Sequence, residues 1–302
     1  MVVGRLPAGL GGQGLTPLVA MTPVARAKPA SGIACFLAMG TRVEIHRFGP
    51  GDGDALAAAR RAIEAVDDAL TIHRPSAATA MNEALRAGRE APVDDPVLLD
   101  ALTQIQAAQA ATLGLFDPAA DPRTGAAGWR DVRFDAATAR IAAAVPLALD
   151  FGGFGKGFAL DRAGAALRDA GVACAVLSAG ESSIAVVGEH PLGGGWPFAV
   201  PDPLRAGRVL AEVELVDEAL SISATVGDGT LAPERAAMIR PTDGSVVTAA
   251  RCAIVVDRSG SRAEMFSTAL IVADDAQAAR LRDRRRMLFD LAATPSGGTL
   301  ME

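Results

Sequence analysis

The chain has 302 residues, a formal net charge of −6 at pH 7 and a pI near 5.2, and half of its residues are hydrophobic. This length allows one large domain or two small ones with a substantial core, and the acidic balance argues against a nucleic-acid partner, which would need a basic surface. No apolar run is long enough for a transmembrane span, and three scattered cysteines indicate neither a disulfide framework nor a thiolate metal site.

Residues 1–34 are predicted to form a flexible N-terminal tail. Residues 8–27 are rich in Gly, Ala and Pro, but Gln13 and Pro17 interrupt the apolar core that a secretory signal needs, and Arg5 is the only cation before it. The lack of a convincing export signal favours the cytoplasm over the periplasm or secretion.

The first half of the chain is predicted to be mainly helical. Residues 36–48 indicate one strand, and apolar residues at helical spacing predict a helix over 54–70. A second helix is predicted to begin at Asp95 and to end near Gly114. A loop rich in Pro, Gly and Asp follows, and then short strands over 132–149.

The second half is predicted to be mainly strand, which favours an α+β fold over a doubly wound sheet. A helix over 156–169 precedes the strands, and a late helix covers 263–273. The predicted strands are 173–177, 184–187, 197–200, 209–215, 219–223, 236–239 and 251–256. Arginines in 277–290 indicate a solvated face, and residues 293–302 are predicted to be a loose tail.

The segment 150–157, Asp-Phe-Gly-Gly-Phe-Gly-Lys-Gly, is the most informative one. It places four glycines, an acid and a cation in eight residues at the start of a predicted helix. Bare backbone at a helix start can bind a phosphate, whereas the alternative is a tight turn whose glycines serve packing alone. The segment matches neither a Walker A motif nor G-x-G-x-x-G, because Phe158 replaces the third glycine.

A second pattern lies on the late helix, where Glu264 and Thr268 are four residues apart. That spacing places a carboxylate and a hydroxyl on one helix face. Both are oxygen ligands suited to Mg²⁺ or Ca²⁺. The alternative is an exposed acid that stabilises the start of a helix through the macrodipole.

Taken in chain order, these segments resemble the ApbE-type FAD:protein FMN transferase family, from Met39 to about Val272. Residues 150–161 match the family string D-L-G-G-I-A-K-G-Y-A-V-D over its length, and residues 114–118 match G-A-F-D-P. Trp196 and Asp202-Pro203 fit a later W…D-P pattern. Of the family segment S-E-L-S-R-L-N, only Ser76 and Asn82 remain.

The resemblance implies one FAD-binding domain over 35–292, with an FAD cleft between a mainly helical and a mainly stranded part. It implies transfer of FMN from FAD to a Thr or Ser hydroxyl of a partner flavoprotein, with release of AMP, in the presence of Mg²⁺ or Ca²⁺. The implied metal ligands are the Gly153 carbonyl, Glu264 and Thr268. The implied flavin contacts are Met39, His73, Leu115, Phe116, Asp117, Asp150, Lys156 and Met238.

Three positions depart from the family pattern. Glu264 replaces an aspartate, and in the motif H-I-I-D-P the histidine is Ala237 and the acid is Arg240. The histidine is the natural group to accept the proton of the acceptor hydroxyl, so Asp243 or Glu234 would have to substitute for it. The alternatives are a paralogue that binds flavin without transferring it, or an enzyme that hydrolyses FAD to FMN and AMP.

Overall fold

The computed structural model describes residues 20–21, 32–49, 53–119, 127–227, 230–231 and 238–292. Within these ranges the helices are α1 (Gly53–Leu70), α2 (Ala77–Arg86), α3 (Pro96–Ala108), α4 (Gly155–Asp169), α5 (Gly260–Val272) and α6 (Asp275–Leu281). The strands are β1 (Ala20–Met21), β2 (Gly32–Ala38), β3 (Thr41–Arg47), β4 (Ala91–Pro92), β5 (Val132–Asp135), β6 (Arg140–Ala143), β7 (Ala175–Ala179), β8 (Ser183–Val187), β9 (Trp196–Pro201), β10 (Val209–Leu215), β11 (Ala219–Ala224), β12 (Val226–Gly227), β13 (Thr230–Leu231), β14 (Arg251–Asp257) and β15 (Arg286–Asp290).

Side chains that cap helix N-termini explain where the early helices begin. In α2, the Ser76 hydroxyl accepts a hydrogen bond from the Thr79 N–H, and the Thr79 hydroxyl accepts one from the Ser76 N–H. This reciprocal capping box satisfies two donors that a helix start leaves free. The Asp95 side chain caps α3 by accepting hydrogen bonds from the N–H groups of Val97 and Leu98, and Pro96 is the first residue of the helix.

Seven antiparallel strands form the central sheet, in the order β15-β14-β11-β8-β7-β3-β2. The prediction of one strand over 36–48 was wrong, because β2 and β3 form a hairpin. Met39 and Gly40 form its two-residue turn, with φ of 52° and 68°. Two consecutive residues with positive φ are typical of the tight turns that join twisted antiparallel strands.

Helices cover one face of the central sheet, and a small sheet covers part of the other. Side chains of α1 and α4 pack with Val43, Ile45 and Leu177 in one apolar cluster, and α5 packs on β14 in another. On the opposite face, Trp196 and Phe198 of β9 pack against the side chains of β8, β11 and β14. The helix-covered face therefore brings α4 and α5 together above the sheet.

These layers confirm the predicted α+β class. The helices predicted over 54–70 and 156–169 are present within one residue, whereas α2 and α6 were not predicted. Within the predicted tail 1–34, β2 begins at Gly32 and residues 20–21 pair with β9. The remainder of 1–31, the tail 293–302 and the first two residues of the strand predicted over 236–239 lie outside the described residues. None of the helices in the described part is long and apolar enough to cross a bilayer.

Candidate flavin and cation site

The glycine-rich turn is held in place from both sides. The buried Asn82 side chain donates to the Leu149 carbonyl and accepts from the Leu149 N–H, both at 2.8 Å. The next residue, Asp150, donates its N–H to the Pro118 carbonyl at 2.8 Å. Asn82 therefore fixes the chain one residue before the turn, which gives a physical role to one of the two residues that remain from the S-E-L-S-R-L-N segment.

Aromatic residues anchor the turn and leave its backbone accessible. Phe151 and Phe154 are buried, and the Phe154 ring stacks on Phe158 with 4.9 Å between centroids. The intervening Gly152 and Gly153 are exposed. The turn therefore presents bare main chain at the start of α4, as the sequence predicted.

Two glycines allow α4 and α5 to cross at backbone contact. A Cβ atom added to Gly157 would lie 2.1 Å from the Gly260 carbonyl oxygen, and one added to Gly260 would lie 2.7 Å from the Gly157 carbonyl oxygen. Neither position can accept a side chain without separating the helices. Gly157 therefore serves helix packing. For this glycine of the segment 150–157, packing is the role that was considered as the alternative to phosphate binding.

Asp161 fixes the start of α5 against α4. Its carboxylate accepts hydrogen bonds from the N–H groups of Gly260 at 2.6 Å and Ser261 at 3.0 Å, and from the Ser259 hydroxyl at 2.9 Å. Burial raises the pKa of Asp161, and these hydrogen bonds oppose that shift. Asp161 belongs to the matched string but was not predicted to have a role. Asp161 lies in the interior of α4, and the residues around it do not indicate that its carboxylate caps α5.

The crossing brings Lys156 against Glu264. The Lys156 Nζ lies 3.0 Å from Glu264 Oε1, and the Ser183 hydroxyl donates to the same oxygen at 2.5 Å. The Glu264 side chain is 3% exposed, so the exposed-acid alternative is wrong. Its other oxygen, Oε2, is buried and has no hydrogen-bond partner among the described residues. A buried carboxylate oxygen without a donor is costly, so Oε2 is a candidate atom for binding a cation.

Gly153 and Thr268 lie beside each other. A Cβ atom added to Gly153 would lie 3.1 Å from Thr268 Oγ1 and 3.4 Å from Phe116 Cε2. Glu264 and Thr268 are one turn apart on α5. The structure therefore places the Gly153 backbone next to Thr268, and Glu264 lies one turn before Thr268 on α5. That these three residues bind one cation stays a prediction.

No cluster of three His, Cys, Asp or Glu side chains suited to a metal ion occurs within the described ranges. The predicted set contains one such side chain, together with a hydroxyl and a backbone carbonyl. These groups are hard oxygen donors, and Mg²⁺ in proteins commonly uses few carboxylates together with other oxygens. With its free buried oxygen, Glu264 fits such a cation.

The predicted flavin contacts differ in what they can offer. Leu115 and Phe116 are buried, so their side chains offer a ligand little accessible surface. Both Asp117 oxygens accept the Trp129 N–H, at 3.0 and 2.9 Å, and Oδ1 also accepts the Ala119 N–H. Burial raises the pKa of Asp117. Its carboxylate therefore holds the backbone of Ala119 and Trp129 together.

The remaining predicted contacts lie nearer the surface. Met39 forms the hairpin turn described above, Met238 is partly buried against the α5 cluster, and His73 is exposed. The Asp150 carboxylate accepts the Gly152 N–H at 2.8 Å and so shapes the glycine-rich turn.

Of the two residues considered as substitutes for the missing histidine, the structure describes Asp243, and its surroundings give that role little support. Asp243 is exposed, and its Oδ1 accepts the Ser245 N–H at 2.9 Å. Hydrogen bonds from Ser245 hold the pKa of Asp243 below its ordinary value, which weakens it as a base. Arg240 donates to the Val272 carbonyl at 3.2 Å and so caps the C-terminus of α5. Glu234 and Ala237 lie outside the described residues.

Comparison with known proteins identifies the family of this chain. The model of the ApbE family matches residues 39–289, which include the glycine-rich turn and α5. The chain belongs to the ApbE family. It is 30% identical over 215 residues to a curated FAD:protein FMN transferase from Rhodobacter capsulatus. The match covers 62% of this chain but 40% of that relative, so the chain spans less than half the length of the relative.

Solved ApbE structures share the fold. The ApbE flavin transferase of Vibrio cholerae superposes with a TM-score of 0.71 at 19% identity, covering 86% of this chain and 93% of the other. The apo flavinyl transferase ApbE of Pseudomonas stutzeri gives 0.70 at 22%, covering 82% and 86%. The ApbE protein of Thermotoga maritima gives 0.71 at 20%, covering 85% and 93%.

One residue of the site was not predicted at all. Ser183 lies 81 positions before Glu264 in the chain, at the start of β8 in a stretch of small residues. From the sequence alone, the small residues around Ser183 indicate only a turn between two strands. Only the packing of α5 on the sheet shows that its hydroxyl holds the carboxylate.

Proposed function

We propose that this chain is a metal-dependent transferase that moves FMN from FAD to a Thr or Ser hydroxyl of a partner flavoprotein and releases AMP. Membership of the ApbE family and the activity named for the curated relative support this proposal. The observation that carries it is the buried Glu264 carboxylate, which has one free oxygen beside the bare backbone of the glycine-rich turn.

The Gly153 carbonyl, Glu264 and Thr268 would hold Mg²⁺ or Ca²⁺. When bound, the cation neutralises charge on the FAD diphosphate and on the departing AMP. The methylene that Glu264 adds relative to aspartate shifts the carboxylate oxygens. Because Mg²⁺ tolerates less geometric error than Ca²⁺, this change favours a site that also accepts Ca²⁺.

The protein's own groups supply the remaining positioning. Lys156 and the first N–H groups of α4 would bind the diphosphate, because both place positive charge at the start of the helix. Met39, the Leu115–Asp117 segment and Met238 would surround the flavin. Phosphoryl transfer depends mainly on such positioning and on charge neutralisation, so no covalent intermediate with the protein is needed.

Incubation with FAD, MgCl₂ and a threonine-containing acceptor peptide tests the proposal. We expect covalently bound, fluorescent flavin on the peptide and one AMP for each flavin transferred. Glu264→Gln should abolish the stimulation by Mg²⁺, whereas Glu83→Gln, at an exposed acid of α2, should retain it. Retained stimulation in Glu264→Gln would place the cation elsewhere.

A second candidate function follows from the departures in the H-I-I-D-P segment. The Arg240 side chain is bound to α5, and the lowered pKa of Asp243 makes it a poor base. A chain without a base for the acceptor hydroxyl would bind FAD without transfer or hydrolyse it. AMP release without peptide labelling identifies the hydrolase, and FAD binding without AMP release identifies the binding protein. Absence of FAD binding with and without Mg²⁺ refutes both functions.

A further inference from the structure

We propose that Lys156 is a tethered cation that competes with the divalent cation for Glu264, and that it is released to the FAD diphosphate only when that cation binds. The inference rests on the proposed function, since it assigns the cation to Glu264. It gives Lys156 two opposing effects. In the absence of FAD, Lys156 weakens binding of the divalent cation to Glu264. Once that cation is bound, Lys156 strengthens the binding of FAD.

The contacts of the carboxylate support competition. Lys156 Nζ and the Ser183 hydroxyl both bind Oε1, at 3.0 and 2.5 Å, so one oxygen is saturated and Oε2 is left free. A divalent cation on Oε2 would share the carboxylate with the ammonium group. Two positive charges on one buried carboxylate repel each other, because a protein interior screens charge less than water does.

Differences in exposure indicate which partner moves. The Glu264 side chain is 3% exposed and is held by Ser183, whereas the Lys156 side chain is 25% exposed. Lys156 lies on the first turn of α4, next to the exposed backbone of Gly152 and Gly153. A flexible four-carbon stem lets its ammonium group move from the carboxylate to an anion at the helix start.

The composition of the chain makes the competition measurable. Only two of its 29 Lys and Arg residues are lysines, Lys28 and Lys156. Protein labelled with ¹³C at lysine Cε should therefore give two signals, which Lys28→Arg assigns. We expect addition of Mg²⁺ without FAD to shift the Lys156 signal and to leave the Lys28 signal in place. A Lys156 signal that does not move while calorimetry records Mg²⁺ binding would overturn the proposal.

Calorimetric titration of Mg²⁺ into FAD-free protein provides the second test. Lys156→Met removes the charge and keeps most of the stem. It should bind Mg²⁺ at least about tenfold more tightly than the wild type, because the competing charge is gone, and should bind FAD more weakly. Lys156→Arg keeps a charge and should stay near the wild type for Mg²⁺. Arg168→Gln removes a cation from the same helix, one paired with Asp217, and should change neither affinity.

The outcomes separate this inference from the proposed function. Equal or weaker Mg²⁺ binding by Lys156→Met, with Mg²⁺-dependent flavin transfer intact in the wild type, overturns the competition alone. Absence of Mg²⁺ binding in the wild type and in Lys156→Met refutes the cation site as well. The melting temperature, measured with and without Mg²⁺, shows whether Lys156→Met is folded. Mg²⁺ should raise the melting temperature of Lys156→Met more than that of the wild type, because the cation then neutralises the otherwise unpaired Glu264.

Discussion

Gly157→Ala and Gly155→Ala form a matched pair that tests how the site is assembled. The two glycines lie two residues apart on the first turn of α4. A Cβ atom at Gly157 would lie 2.1 Å from the Gly260 carbonyl oxygen, whereas one at Gly155 meets nothing within 4 Å. Because the obstacle is backbone, it cannot rotate away, and the helices must separate.

We expect Gly157→Ala to destabilise the fold by about 3 kcal/mol, at the upper end of overpacking effects. For a domain of this size that is a fall in melting temperature of roughly 6–12 °C. Gly155→Ala should be neutral or up to about 1 kcal/mol more stable, because alanine favours the helix and restricts the unfolded chain.

Thermal and urea unfolding measure both effects, and FAD titration provides a second readout. Separation of α4 from α5 moves the glycine-rich turn away from the proposed cation ligands on α5, so Gly157→Ala should also lose FAD affinity at temperatures where it stays folded. Equal stability of the two variants would refute the crossing geometry. A destabilised Gly157→Ala with unchanged FAD affinity would show that the crossing is structural and does not position the site.

Three further predictions concern other parts of the chain. Asn82→Ala should cost about 2–3 kcal/mol, measured by urea unfolding, because it leaves the buried Leu149 N–H and carbonyl unpaired. A thiol reagent at pH 8 should label the exposed Cys35 first and Cys252 only after unfolding, since burial raises the pKa of Cys252 to about 12. Fast labelling of Cys252 in the native protein would contradict its placement on β14. Ala237→His should raise the rate of peptide flavinylation if the missing base limits transfer, and an unchanged rate would exclude that explanation.

Local patterns predicted those parts of the site that lie within one segment. The glycine-rich turn and the Glu264–Thr268 spacing are each readable within eight residues, because a helix start and a helix face are local features. The β2–β3 hairpin was misread as one strand, because its turn consists of Met39 and Gly40 alone. Methionine is not a usual residue at positive φ.

Long-range contacts account for what the sequence did not reveal. Ser183 and Glu264 are 81 residues apart, and Asp161 caps a helix that begins about 100 residues later. Nothing near either residue specifies its partner, since the pairing depends on how α4 and α5 pack on the sheet. The pair Gly157 and Gly260 likewise becomes meaningful only when the helices are seen to cross.

The two ends of α5 show how this chain accommodates its departures from the family pattern. At the start, the longer side chain of Glu264 is held by Ser183 and Lys156. At the end, Arg240 donates to the Val272 carbonyl and Arg251 donates to the Ala273 carbonyl at 2.7 Å.

Cations at a helix C-terminus are favourable, so replacing Arg240 with the family's aspartate would remove a cap and place a negative charge there, each at a cost of about 0.3–1 kcal/mol. Arg240 therefore helps to hold the C-terminus of α5 in place in this chain. A variant designed to restore a base for the acceptor hydroxyl should therefore change Ala237 and keep Arg240.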